Sequence, residues 1–254
     1  KKLRKNLMTT ELKKRTITSI VLFAFAILCI SINEIFFLFT CFVVSMICFS
    51  EWVRINVKLL NKNRLIYFLI TISGFVYLFL IFFVSALFLR DKSLDSVVFF
   101  ILILCICICS DIGGYVFGKS IGGIKLTKIS PNKTIAGSLG SFIFSSIPLF
   151  LFNFQKYLNS HFQLDFKTYN SVLTNYPIEY KIINFEISFK NFLFCLIISL
   201  SCQLGDLLIS YFKRLNNVKD AGTILPGHGG LLDRIDGIIF AIPIAFILIS
   251  TQTY

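Results

Sequence analysis

Between Gly205 and Gly237 the chain reads GDLLISYFKRLNNVKDAGTILPGHGGLLDRIDG, a stretch dense in residues able to do chemistry. If its first part is helical, Asp206, Ser210 and Lys213 fall at i, i+4 and i+7, on one face. A carboxylate then sits deepest, with a hydroxyl and an ammonium nearer water. Pro226-Gly227-His228-Gly229-Gly230 cannot be helix interior; its glycines admit positive φ and let backbone N–H groups approach an anion closely. Asp233 and Asp236 follow at i, i+3, on one face of the helix beyond. Carboxylates, lysines, an arginine and a glycine loop suit a Mg²⁺–polyphosphate complex. The metal takes hard oxygen ligands and keeps waters, while cations and N–H groups hold phosphate oxygens.

Taken singly, each feature has an ordinary explanation. Lys213-Arg214 can anchor a helix end among headgroups, the Gly-His-Gly-Gly run can be a turn, and Asp233-Arg234 can be a local ion pair. The combination is harder to dismiss, because a second acid, Asp111, lies in a similar setting. Asp111 and Asp206 each fall near the end of an apolar run, where ionisable residues are costly and usually functional.

The surrounding elements must be membrane helices. Of 254 residues, 56% are hydrophobic, 30 are Phe and only 15% are charged, yet the formal net charge is +12. Soluble domains average roughly 45–50% apolar and about 25% charged. This balance excludes a soluble globule, a disordered chain and a small disulfide-stapled domain, and it argues against a nucleic-acid binder. The eight cysteines (Cys29, Cys41, Cys48, Cys105, Cys107, Cys109, Cys195, Cys202) lie in apolar stretches without metal-ligand spacing and read as small hydrophobes.

Apolar runs at Ile17–Ile32, Ile35–Trp52, Leu65–Leu89, Val97–Phe117, Thr134–Phe152, Phe192–Phe212 and Ile238–Ser250 predict an all-α polytopic bundle of seven spans. A break at Gly74 would make eight. A single helix over Ile17–Phe49 would be about 50 Å long against a hydrocarbon core of about 30 Å, so the chain should fold back at Asn33-Glu34. The chain opens with Lys1, and Met8 is a candidate start. The basic start and first run have a signal-peptide outline, but no small-x-small site follows, so a retained span is expected. The N-terminal segment and alternate loops hold 19 of the 25 Lys and Arg residues, which assigns them to the cytoplasm. The segment Asn153–Asn191 reads as a long loop with His161 solvated, and Gly137, Ser141 and Ser145 recur at a spacing suited to close helix packing.

These residues resemble the integral-membrane phosphatidate cytidylyltransferases, or CDP-diacylglycerol synthases. Ser210-Tyr-Phe-Lys-Arg through Lys219-Asp220-Ala-Gly to Pro226-Gly-His-Gly-Gly230-Leu-Leu-Asp233-Arg234-Ile-Asp236 is similar to the family signature throughout, with Leu204-Gly205-Asp206 before it. Ser110-Asp111-Ile-Gly-Gly-Tyr115-Val-Phe-Gly118-Lys119 and Ile129-Ser130-Pro131-Asn132-Lys133-Thr134 resemble two further family blocks, and Glu51-Trp52 is a fainter echo. Asn132 stands where a second Lys is common, and Ala136 where Glu often is.

The resemblance implies cytidylyl transfer from CTP to phosphatidate, giving CDP-diacylglycerol and pyrophosphate. It implies Asp206 and Asp233 as metal ligands for Mg²⁺, with a second metal ion left open. Lys213, Arg214, Lys219 and Arg234 would hold phosphates, with Asp220 and Asp236 beside them in the catalytic set. Gly227, Gly229 and Gly230 would shape the loop that admits CTP. Asp111, Ser130, Lys133, Thr134 and Ser210 would complete the pocket. His228 would donate to a phosphate, move a proton or shape the loop. Residues 1–93 would carry the basic segment and first three spans, and 94–254 the catalytic membrane domain. A bacterial inner membrane, a cytoplasm-facing site and a homodimer are further expectations from the resemblance. The alternatives are a CTP-dependent enzyme acting on a prenyl lipid, an organic-phosphate or ion transporter, and a non-catalytic scaffold. A transporter built from repeats would show two similar halves, and no internal repeat is found.

Overall fold

The computed structural model describes residues 28–29, 34–60, 63–89, 94–127, 130–131, 133–162, 185–225 and 229–251. Among them lie seven helices: α1 (Glu34–Leu60), α2 (Arg64–Leu89), α3 (Leu94–Ser120), α4 (Ile135–Ser145), α5 (Ile147–Phe162), α6 (Phe189–Leu215) and α7 (Leu232–Ser250). No strand occurs among the described residues, only isolated bridges at Lys125–Thr134 and Leu225–Gly229. Five stretches are long and apolar enough to cross a membrane: Ile35–Leu60, Arg64–Ser85, Val98–Ser120, Ile135–Phe154 and Phe189–Leu215. Large apolar side chains such as Ile35, Phe68, Phe83 and Leu139 stand exposed, as a bundle solvated by lipid requires.

Several expected boundaries move. The run at Ile17–Ile32 lies almost wholly outside the described residues. α1 continues two turns past Trp52, and α2 passes Gly74 without a break. Gly74 instead makes room for the indole of Trp52, whose Nε1 donates to Ile70 O at 3.0 Å. The fifth run is two helices. Pro148 lacks an N–H and its ring would crowd the carbonyl four residues back, which favours a break here, whereas α7 runs through its own Pro243. The Ser146 hydroxyl donates to Ile143 O at 2.7 Å, and Leu149 N restarts the ladder on Ser146 O at 3.1 Å.

The segment read as a loop from Asn153 remains helical to Phe162, placing His161 on helical backbone. Asn153 is accommodated because its Nδ2 donates to Leu149 O at 2.8 Å and to Phe185 O at 2.9 Å. α6 starts behind the Ser188 cap, whose Oγ accepts from Asn191 N.

Two helix pairs are brought together by missing side chains. Between α3 and α4, a Cβ added to Gly140 would lie 2.5 Å from Phe117 Cβ and 2.6 Å from Gly113 O. Gly137 and Ser141 on the same stripe meet Gly114, which is the close packing expected of that spacing. Between α6 and α7, a Cβ on Gly237 would be 2.3 Å from Cys202 Sγ, and one on Gly205 would be 2.7 Å from Asp236 O.

A chain of neutral hydrogen bonds joins the two pairs. Ser110 of α3 meets Ser199 of α6 at 2.8 Å, Gln203 Nε2 donates to Ser199 Oγ at 3.3 Å, and Ser138 of α4 donates to Gln203 Oε1 at 2.5 Å. Such interhelical bonds contribute roughly 0.6–2 kcal/mol each in lipid.

Gly140→Leu should force α3 and α4 apart. Overpacking of this kind costs roughly 1–3 kcal/mol, and the melting temperature in detergent should fall by about 5 °C or more. Leu139→Ala, on the exposed face of the same helix, should leave it nearly unchanged; equal shifts in both variants would contradict the packing account.

Candidate active site

The C-terminal parts of α3 and α6 and the N-terminal turns of α4 and α7 meet at one end of the bundle. Asp111 and Asp206 each stand nine residues before the last residue of α3 and α6, about 14 Å of helix. The helices therefore rise beyond these acids as walls. From the end of α3 the chain turns at Gly122 (φ 64°) and Gly123 (φ 91°), then doubles back. Leu126 N donates to Lys133 O at 2.8 Å and Ile135 N to Ile124 O at 3.0 Å. Thr134 then caps α4, its Oγ1 accepting from Gly137 N at 3.0 Å. This return delivers the Lys133 ammonium to Asp206 of α6, with which it forms an ion pair.

α7 is positioned by carboxylates. Asp233 Oδ1 pairs with Lys213 Nζ at 2.7 Å, both side chains nearly buried. Its Oδ2 accepts from Ala221 N at 2.8 Å and from Gly230 N at 3.0 Å. One residue thus holds α6, the start of the intervening loop and the start of α7. Gly229 sits at φ 83°, where a side chain would be strained, and a Cβ there would approach Asp233 Oδ2 and Asp220.

The walls enclose a cavity of about 460 Å³. Among the expected residues it brings together Asp111, Lys133, Thr134, Asp206, Lys213, Asp220, Asp233, Arg234 and Asp236. Tyr115, Ser138, Ser141 and Gln203 also line it. Ser210 lies just behind, donating to Asp206 Oδ1 at 3.3 Å. Asp206, Ser210 and Lys213 therefore share a face, as their spacing predicts. Asp111 Oδ1 has Cys202 Sγ at 3.8 Å, and Asp236 Oδ1 accepts from Gly237 N at 2.9 Å.

Other expected residues sit elsewhere. Arg214 and Lys219 are exposed and are not among the lining residues. Ser130 is half-buried in the return loop, its N–H donating to Thr127 Oγ1 and its carbonyl accepting from Lys133 N. Gly229 and Gly230 back the cavity, and Gly227 and His228 lie outside the described residues. The glycine loop does hold anions, but among the described residues these belong to the chain itself: Asp233 on Gly230 N, and Glu51 on Leu231 N and Leu232 N. Glu51 was visible as an acid at the end of an apolar run. Gln203, three residues before Asp206, and Tyr115, four after Asp111, share a helix face with a recognised acid, which is the signal that would have found them.

The donor set fits a divalent cation. Five carboxylates (Asp111, Asp206, Asp220, Asp233, Asp236) face three cations (Lys133, Lys213, Arg234) in the cavity, so a polyphosphate enters an acid-rich space unless positive charge accompanies it. Among the described residues no three acids converge on one point. Mg²⁺ commonly takes one or two carboxylates and completes its shell with substrate oxygens and water, so Asp206 and Asp233, the two that the resemblance assigns to a metal, would be enough in number.

The cytidylyltransferase family model matches residues 57–252. A phosphatidate cytidylyltransferase of Rickettsia bellii is 38% identical over 148 residues, covering 58% of this chain and 55% of the relative. That of Bacillus subtilis is 36% identical over 166 residues, 64% of this chain and 52% of the relative. That of Staphylococcus aureus is 35% identical over 205 residues, 78% and 66% respectively. The chain thus spans between half and two thirds of these relatives' length. The aligned region includes the whole cavity, from Asp111 to Asp236, and on the strength of the family match the chain belongs to the cytidylyltransferase family.

Proposed function

We propose that the chain transfers the cytidylyl group of CTP to phosphatidate, giving CDP-diacylglycerol and pyrophosphate. The observation that carries this reading is a single cavity at one end of a membrane bundle where intramembrane Asp111 and Asp206 meet Lys133, Lys213 and Arg234. A lipid phosphate and a nucleotide triphosphate can share such a place: acyl chains stay in the bilayer while the phosphate lies at its edge. The names of the relatives support the choice of both substrates.

In the proposed reaction a phosphatidate oxygen attacks the α-phosphorus of CTP. The new P–O bond forms as the bond to the β-phosphate oxygen breaks, and pyrophosphate leaves with that electron pair. The attacking phosphate is already anionic, so no general base is required. What remains for the protein is alignment of two polyanions and neutralisation of charge. Lys133 and Lys213, each paired with a carboxylate at rest, exchange it for a phosphate oxygen. The Arg234 guanidinium offers a planar pair of donors for a phosphate. Asp206 and Asp233 would hold Mg²⁺, whose contribution is to offset charge on the phosphates and the departing pyrophosphate. Arg214 and Lys219, exposed beside the cavity, would attract CTP before it docks. A bacterial inner membrane, a site open to the cytoplasm and a homodimer belong to the same proposal; the basic loops support the sidedness.

Purified protein with labelled CTP, phosphatidate and Mg²⁺ should give a labelled liponucleotide and release pyrophosphate. Asp206→Asn and Asp233→Asn should each lower turnover by at least about 10²-fold while the protein still inserts. Absence of product from the wild-type protein across lipids and divalent metals would refute the proposal. Full activity of either variant would remove that residue from the site.

A further inference from the structure

The residue that holds α7 in place is far from it in sequence. The N-cap of α7, Leu231, makes no side-chain cap hydrogen bond, and the local carboxylate of Asp233 reaches back to Gly230 N, leaving the N–H groups of Leu231 and Leu232 to another acceptor. The acceptor comes from α1. Glu51, 3% exposed, receives Leu231 N on Oε1 at 3.0 Å and Leu232 N on Oε2 at 2.8 Å. Its carboxylate lies in a slot made by two glycines: a Cβ on Gly222 would be 2.2 Å from Oε1, and one on Gly230 would be 2.6 Å from Oε2.

The next residue, Trp52, fixes the same stretch of α1 against α2 through Ile70 O and against α6 through Phe212 at 4.8 Å between ring centroids. One turn on, Asn56 Oδ1 accepts from Asn216 Nδ2 at 3.2 Å, tying α1 to the end of α6. The stretch of α1 from Glu51 to Asn56 therefore grips both sides of the loop that leads from Lys213 to Asp233.

We propose that Glu51 is a positioning residue for the transfer reaction. Through the N–H groups of Leu231 and Leu232 it sets where α7 begins, and so where Asp233, Arg234 and Asp236 face the cavity. It also fills the anion position at the α7 N-terminus, which leaves substrate phosphates to Lys133, Lys213 and Arg234. The effect on turnover rests on the proposed cytidylyl transfer; the effect on the loop does not.

The test uses the full chain in detergent with Glu51→Gln, Glu51→Ala and Glu51→Asp. Glu51→Gln puts an amide N–H against backbone donors and should lower kcat at least tenfold, with a smaller change in KM for CTP. Amide exchange of the peptide spanning 219–235 should quicken in Glu51→Gln, while peptides from α3 and α4 keep wild-type rates. Glu51→Ala leaves a carboxylate-sized gap, and added formate should restore its activity at least fivefold without stimulating the wild type. Unchanged exchange at 219–235 in Glu51→Gln, or in Glu51→Asp should the first variant fail to fold, would overturn the proposal. So would an activity loss in Glu51→Ala that formate leaves untouched. If the wild type makes no liponucleotide, the substrate assignment falls while the exchange measurements still decide the positioning claim.

Discussion

The start of α7 presents backbone N–H groups inside a membrane protein, where an unmade hydrogen bond is expensive and water is scarce. Two carboxylates divide them. Asp233 takes Gly230 N together with Ala221 N across the loop, and Glu51 takes Leu231 N and Leu232 N. Much of the site's geometry follows from this division. With Oδ2 of Asp233 committed to the backbone, Oδ1 faces α6 and meets Lys213. The glycines at 222 and 230 are then receptors for an internal carboxylate, a role distinct from cradling a substrate phosphate.

A second constraint sets the cavity's lower wall. Glycine contacts bring α3 to α4 and α6 to α7, while neutral hydrogen bonds through Ser110, Ser199, Gln203 and Ser138 link the pairs. Neutral groups can join helices at this depth without the desolvation cost of a charge. The charges are kept nearer the helix ends, and Lys133 and Lys213 are each matched to a carboxylate there. In the proposed reaction these two lysines are the cations that exchange a carboxylate for a phosphate oxygen.

How much could be read from the chain alone varied with the range of the interaction. Asp206, Ser210 and Lys213 share a face because helix periodicity is local, and the close-packing role of Gly137 and Ser141 follows from the same spacing. The family likeness marked the acids and lysines that line the cavity. The partners of those residues were not readable. The Glu51 contact spans 180 residues, and an acid at the end of an apolar run does not declare which N–H groups it meets. The break at Ser146 was signalled by Pro148 but masked by continuous apolarity, and the helical stretch to Phe162 was masked by its Asn and His content. Hydropathy reports the solvent around a helix better than where the helix ends.

In the proposed reaction the site aligns two phosphates and neutralises charge while a lipid phosphate oxygen attacks the α-phosphorus directly. Among the described residues lining the cavity there is neither a cysteine nor a histidine, and its charged groups are acids and bases suited to binding. The most direct test is stereochemical: CTP carrying a single sulfur of defined configuration on the α-phosphorus, with the product read by ³¹P NMR. A single displacement predicts inversion at that phosphorus. Retention would require an intermediate on the protein and would contradict the account.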